Sequence, residues 1–431
     1  MTLSLSGFSI SPCVCYTMYI MSFFADSKQD LSLILDIGNA SICGSLVSFP
    51  RGGKPIILHT HREEIPFQQD IEADKLVFLM VRVLGRTLSF IDKALIFKKK
   101  EKNFGYGKVR HVYCVLASPW YMDETKTIRI ERQTPIQITR RFLDDIVKKE
   151  RDRFAKEFAG VDASPAHLKK NLSIIDIESK IIDIKLNGYL VEEPYGKAAT
   201  TIEFSFYSSL ASDEILRKVR SAIYSFFNPE TIRFHSFSLA AFSAIRDMFP
   251  HESDFLSIDI TGEITDISFV KQGVLLKTIS FPAGRATLVR LLSRSLRVLP
   301  DVAVSTIRML GENTLEAKKA GRIKKVLGQY ASEWRMSFDT AVKELSRHGA
   351  LPRKIFLTVD SDVSLFFVEQ LEDKGGVVIP EMRGIYRQSF SVVYLDEKKT
   401  KPLVEYMVHV AVDPFISLEA IFTARSSSQH A

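Results

Sequence analysis

One pattern occurs twice in this chain, and it limits the fold more than any other feature. An apolar strand ends in an aspartate, a glycine follows within three residues, and a second apolar strand returns. The first copy is 31-LSLILDIGNASICGSLVSFP-50, with Asp36 and Gly38 at the turn. The second is 255-FLSIDITGEITDISFVKQGVLLKTISFP-282, with Asp259 and Gly262. A duplicated domain core would produce such a repeat at long separation. Asp and Gly are ordinary turn residues, so one hairpin alone asks for nothing more than a turn. Two hairpins facing each other across a cleft could do chemistry. Backbone N–H groups in a tight turn converge on phosphate oxygens, glycine lets the main chain come close, and carboxylates can hold a magnesium ion through its waters.

The chain of 431 residues is long enough for two or more domains. Its 46% hydrophobic and 25% charged residues are those of an ordinary globular protein, and a net charge of +7 does not demand nucleic acid. Cys13, Cys15, Cys43 and Cys114 form neither a zinc spacing nor a disulfide framework, so reduced thiols are the simplest expectation. Residues 1–25 carry no charge, but Pro12 and several Ser and Thr residues dilute that window, and no cation precedes it. We expect 1–30 to be an extension, disordered or a mis-assigned start with translation beginning near Met21; a membrane anchor is the alternative.

Between the two motifs the periodicity predicts a third strand at 56–65 and an amphipathic helix at 73–96, followed by a charged, glycine-containing loop at 98–108. Strands at 109–119 and 126–133 come next. A helix follows with Ile138, Phe142, Ile146 and Phe154 on one face, then a hairpin at Asn187-Gly188 and an alternating strand at 200–209. That order, strand, helix, strand, strand, is a small unit set inside a larger fold. Beyond it lie a helix at 212–227 that Ser212 and Asp213 are placed to cap, a strand at 231–234, a helix at 238–248, and, after the second motif, a helix at 283–296. The basic run 317-AKKAGRIKKVLGQY-330 reads as a solvated helix face, with an acidic partner or nucleotide as the alternative. His59, His61 and His235 are isolated in sequence, and no chemistry is assigned to them.

With these motifs in place, the chain resembles the actin-like ATPases. Asp36-Ile37-Gly38-Asn39-Ala40-Ser41 is similar to their first phosphate loop, and the run Asp259 to Asp266 to their second. The unit at 109–207, above all 186-LNGYLVEEPYGKAATTIEFSFYSSL-210, resembles the insertion of the cell-division protein FtsA and its pilus relative PilM. The segments 231–245 and 281–296 are similar to the helices flanking the second loop. The resemblance implies a two-lobed α/β fold of the ribonuclease H type: residues 31–108 and 208–254 in the first lobe, 109–207 inserted, 255–425 in the second lobe and 426–431 a tail. It implies ATP and magnesium, with nucleotide on Asp36, Gly38, Asn39, Ala40, Ser41, Asp259, Thr261, Gly262 and Thr265, and metal on Asp36 and Asp259. It also implies a cytoplasmic scaffold at the inner face of the membrane. Its partner would be the tubulin-like FtsZ or the cytoplasmic tail of a pilus membrane protein, and self-association into filaments is a further expectation.

The chain departs from that pattern in places. The strand 354–371, where the family carries adenosine-binding glycines, reads Thr358-Val359-Asp360-Ser361-Asp362. Thr261 and Glu263 stand where glycine is usual. No Gln or Glu in 231–245 is placed to orient an attacking water. These departures imply slow turnover at most, and they open a second reading, a nucleotide-free adaptor with a degenerate site. A sugar or acetate kinase on the same fold ranks last, because such kinases usually lack the insertion. The C-terminal 413-DPFISLEAIFTAR-425 follows its strand without a linker and has one cation, so it is expected to pack on the domain core rather than on a membrane.

Overall fold

Both Asp–Gly turns form hairpins at the centre of a sheet. In this computed structural model, which describes residues 29–66, 73–100, 105–160, 173–372, 377–381 and 384–428, β1 (Gln29–Ile37) and β2 (Ser41–Ser48) pair antiparallel with Asp36 opposite Cys43. In the second half β10 (Phe255–Ile260) and β11 (Thr265–Lys271) repeat this, with Asp259 opposite Asp266.

The duplication extends to whole sheets. The first runs β3 (Ile56–Glu64), β2, β1, β4 (Tyr106–Leu116), β9 (Thr231–Ser236). The second runs β12 (Val274–Phe281), β11, β10, β13 (Lys354–Val359), β16 (Ser391–Tyr394). In each, the first three strands are antiparallel and the last two join parallel to the central strand, the ribonuclease H order. The short β17 (Glu405–Tyr406) adds an edge to the first sheet, β14 (Val377–Glu381) and β15 (Gly384–Gln388) pair as a separate hairpin, and the one-turn α9 (Glu397–Thr400) precedes β17.

Helices cover both faces of each sheet, as buried parallel strands require. α1 (Ala73–Lys98) lays Leu76, Met80, Val83, Leu84, Leu88 and Ile91, one stripe at helical spacing, on the outer face of the first sheet. α4 (Phe237–Met248) and α10 (Pro414–Ser428) fill the layer between the lobes. There Phe415, Leu418, Ile421 and Phe422 are buried with Phe237, Phe242 and Phe356. The last helix is therefore core. In the second lobe α5 (Arg285–Leu296), α6 (Pro300–Gly311), α7 (Ala317–Leu345) and α8 (Ser364–Leu371) surround Trp334 and Phe338. The lysines of 317–330 lie on the solvated side of α7, while Ile323, Leu327 and Tyr330 face inward. Among the described residues no helix is long and apolar enough to cross a membrane.

A four-stranded sheet projects from the first lobe: β5 (Tyr121–Gln137), β8 (Ala198–Ser212), β6 (Ile174–Leu186), β7 (Tyr189–Leu190), with α2 (Arg140–Gly160) across it. Asn187 and Gly188 take φ of 52° and 87°, the geometry expected of a Asn-Gly hairpin. β4, placed by its sequence at the start of the insertion, hydrogen-bonds within the first-lobe sheet, and the projecting sheet begins at Tyr121. Ser212 does not cap the helix after it. β8 runs through this residue, which pairs with Ile174, and its hydroxyl is buried without a partner among the described residues, one residue before α3 (Asp213–Tyr224). Cys43 and Cys114 are buried free thiols; Cys13, Cys15 and Met21 lie outside the described residues.

Candidate functional site

The two hairpins meet at the interface of the lobes, and they touch. Asn39 donates from Nδ2 to Ser118 O at 2.7 Å and to Thr261 Oγ1 at 3.0 Å, and its Oδ1 accepts from the Glu263 N–H at 2.9 Å. Gly262 lies so close that a Cβ added there would sit 1.9 Å from the Cβ of Ala40. Two further loop amides are engaged within their own hairpins. The Gly38 N–H bonds Ser41 O at 3.1 Å and the Thr261 N–H bonds Ile264 O at 3.0 Å. Behind the second hairpin, the first two amides of α5, those of Arg285 and Ala286, are taken by Thr261 O and Gly262 O. Helix N-termini attract anions through such free amides; here carbonyls fill the role.

Asp36 lies at the end of β1, and strand register decides its partner. Asp36 stands opposite Cys43, and Cys43 opposite Arg62, so the carboxylate and the guanidinium share one face of the sheet. Arg62 donates to Asp36 Oδ2 at 2.8 Å, to Ser41 Oγ at 2.7 Å and to Asp413 Oδ2 at 2.8 Å. Asp413 in turn starts α10, accepting from the Phe415 and Ile416 amides. A buried carboxylate needs a positive charge close by, and Arg62 brings one covalently. Burial nevertheless raises the Asp36 pKa to about 6 against the pull of Arg62. Across the cleft, Arg285 engages Asp362 at 2.5 Å and Asp360 at 3.4 Å.

Asp36, Gly38, Asn39, Ala40, Ser41, Thr261 and Gly262 line one small cavity with Arg62, Arg285 and Asp360, and it holds only ≈ 40 Å³. Ligand pockets run to several hundred Å³. Asp259 and Thr265 are not on its wall. Thr265 is buried behind it, donating to Ala283 O and accepting from Trp334 Nε1. Asp259 is buried with both oxygens unpartnered among the described residues, and burial pushes its carboxyl well above the usual range. Glu419 on α10 is in the same condition.

These residues do not fit ATP and magnesium as they are arranged. The Gly38, Thr261 and Glu263 amides are already paired, the guanidinium of Arg62 holds Asp36, the cavity holds only ≈ 40 Å³, and among the described residues no cluster of three ligating side chains could take a metal. Arg62, Arg285 and Asp413 were missed by sequence reasoning. The signal for Arg62 was the register of three adjacent strands; for Asp413, 351 residues away from Arg62, the sequence offers none.

A second, larger space opens beside the cleft, ≈ 670 Å³ in volume, where the projecting sheet, the first lobe and the second lobe meet. Leu76, Met122, Phe154, Ile264, Phe281 and Pro282 give it apolar walls. Asn39 and Glu263 belong to this groove as well as to the clasp between the hairpins.

The sequence matches no family model and no curated protein. Among solved structures the fold is similar to that of the PilM-PilN type IV pilus biogenesis complex, with a TM-score of 0.59, 13% identity, and 92% of this chain and 98% of that chain covered. Weaker likenesses include the ethanolamine utilization protein EutJ from Carboxydothermus hydrogenoformans (TM-score 0.41, 11% identity, covering 94% and 93% of the two chains). Another is a Bacteroides thetaiotaomicron protein with actin-like ATPase fold (TM-score 0.40, 10% identity, covering 93% and 98%). The chain has the two-lobed α/β fold of the actin-like ATPases, with a PilM-like similarity.

Proposed function

We propose that this protein is a PilM-like scaffold whose lobes are held together by its own side chains rather than by nucleotide. It would dock a cytoplasmic segment of a membrane-protein partner in the groove beside the cleft. The observation that carries the reading is the clasp: Asn39 spans both hairpins, and Gly262 lies against Ala40 with no room between them. Each of these carboxylates already has a cationic partner within the chain, Arg62 for Asp36 and Asp413 and Arg285 for Asp360 and Asp362, one guanidinium to two carboxylates. The likeness to a pilus complex supports a pilus-type partner over the tubulin-like partner of cell division. A cytoplasmic location at the inner face of the membrane follows from that reading.

A second reading keeps ATP and magnesium on the hairpins, with Asp36 and Asp259 at the metal. One observation favours it: both oxygens of Asp259 are buried without partners among the described residues, as a carboxylate awaiting a hydrated cation would be. It requires the lobes to part and Arg62 to leave Asp36.

Synthetic peptides tiled over the cytoplasmic tails of membrane proteins encoded beside this chain test the docking. Ser280 also lines the groove; one tail segment is expected to bind, and Ser280→Trp, which fills the groove, is expected to abolish binding. Tail binding that ignores Ser280→Trp would overturn the assignment of the groove.

A further inference from the structure

The groove is apolar along its walls but not on its floor. Three charged side chains line it: Asp123, Glu263 and Arg290. Arg290 holds Glu263 with both terminal nitrogens of its guanidinium, so those two charges cancel. Asp123 is left unbalanced. It sits near the start of β5, where the projecting sheet leaves the first lobe, and faces β8 and β12.

The hydrogen bonds of Asp123 are one-sided. Tyr207 Oη at 3.0 Å, Ser238 Oγ at 2.7 Å and Thr278 Oγ1 at 3.2 Å all donate to Oδ2. Among the described residues none donates to Oδ1, and Oδ1 is not sealed from solvent as the oxygens of Asp259 are. Three hydroxyls from three different elements thus fix the carboxylate in one orientation and leave its second oxygen for an incoming donor. A second buried carboxylate, Asp266, is near enough that the charge of Asp123 raises its pKa further. Lys277 pulls the other way, by less than any of the three hydroxyl bonds. A partly desolvated carboxylate in this setting gains most from a donor that is also a cation.

We propose that the groove selects a peptide segment that is apolar and extended but carries a single cation, a lysine or arginine side chain, seated on Asp123 Oδ1. The inference rests on the groove being the partner site. Apolar residues on either side of the cation would fill the spaces against Met122, Phe154 and Phe281, and the Glu263–Arg290 pair would close one side. A segment bearing a carboxylate at the same point would meet Asp123 with like charge and be rejected.

A random dodecapeptide library displayed on phage, selected on the full chain and eluted by competition, tests this. The wild type is expected to enrich apolar peptides with one Lys or Arg. Asp123→Asn is expected to bind those peptides at least about tenfold more weakly, the loss of roughly one charge-assisted hydrogen bond. Replacing the selected Lys by norleucine should weaken binding to wild type by a similar factor, a readout independent of whether Asp123→Asn folds. Enrichment of apolar peptides without a cation, or affinity unchanged by norleucine, overturns the inference while leaving the groove as a peptide site. Selected peptides that still bind Ser280→Trp overturn the groove assignment and the inference together.

Discussion

Gly262→Ala is the sharpest probe of the clasp. The new Cβ would lie 1.9 Å from the Ala40 Cβ, 2.9 Å from Asn39 Oδ1 and 3.1 Å from the Ala40 Cα. Carbon atoms in contact sit about 3.5–4.0 Å apart, so the hairpins must retreat by roughly 2 Å. That retreat overstretches both bonds from Asn39 to the second lobe, now 3.0 and 2.9 Å. Overpacking costs about 1–3 kcal/mol, and two lost hydrogen bonds add about 0.5–1.5 kcal/mol each. The expected loss is therefore about 2–6 kcal/mol, read as a lower melting temperature. Native-state hydrogen exchange should rise at the Glu263 amide, whose acceptor belongs to the other lobe. The Gly38 amide, bonded within its own hairpin, should keep its protection. Adding Ala40→Gly removes the closest of the three contacts and should recover much of the loss. Gly262→Ala with unchanged melting and unchanged exchange at Glu263 would refute the claim that the hairpins are in contact in solution.

Arg62→Met leaves Asp36 and Asp413 buried without their shared cation. It should destabilise the fold by about 3–5 kcal/mol in thermal or urea melts, with Asp36→Asn added to recover part of that. Magnesium should raise the melting temperature of Arg62→Ala more than that of wild type, because the vacated space is bordered by carboxylates. Asp266 carries a pH signature. Burial raises its pKa from 3.8 to about 6, so the folded chain binds this proton more tightly than the unfolded chain. That contribution is complete below pH 3.8 and is lost as pH rises through about 6. At about 1.4 kcal/mol per pKa unit it amounts to roughly 3 kcal/mol, and Asp266→Asn should flatten the stability profile between those values. Leu418→Ala on the last helix should cost about 2–5 kcal/mol, as for a core leucine; a neutral result would count against that helix as core.

Much of this molecule is written in local pattern. The two Asp–Gly hairpins, the Asn187-Gly188 turn and the stripe on α1 follow from periodicities of two and 3.6 residues and from turn chemistry, all of which operate within a short window. The last helix was legible for the same reason: Phe415, Leu418, Ile421 and Phe422 mark one face, and no linker separates them from the fold. What escaped lies between distant segments. Arg62 sits in 59-HTHREE-64, a charged strand end that reads as solvated. Its role depends on register with β2 and on Asp413 arriving from the far end of the chain. Thr265 matched a phosphate-loop pattern, yet the indole of Trp334 holds it inside the second lobe. The hydroxyls around Asp123 come from Tyr207, Ser238 and Thr278, on separate elements that no spacing rule connects. Ser212 shows the converse: a good local cap signal overridden because a strand continues through it.

Calorimetric titration of the purified chain with ATP and magnesium tests the account most directly. Closure by Asn39, Arg62 and Arg285 predicts no saturable heat at millimolar nucleotide and no rise in melting temperature. Tight binding that depends on magnesium and disappears in Asp36→Ala or Asp259→Ala would contradict it.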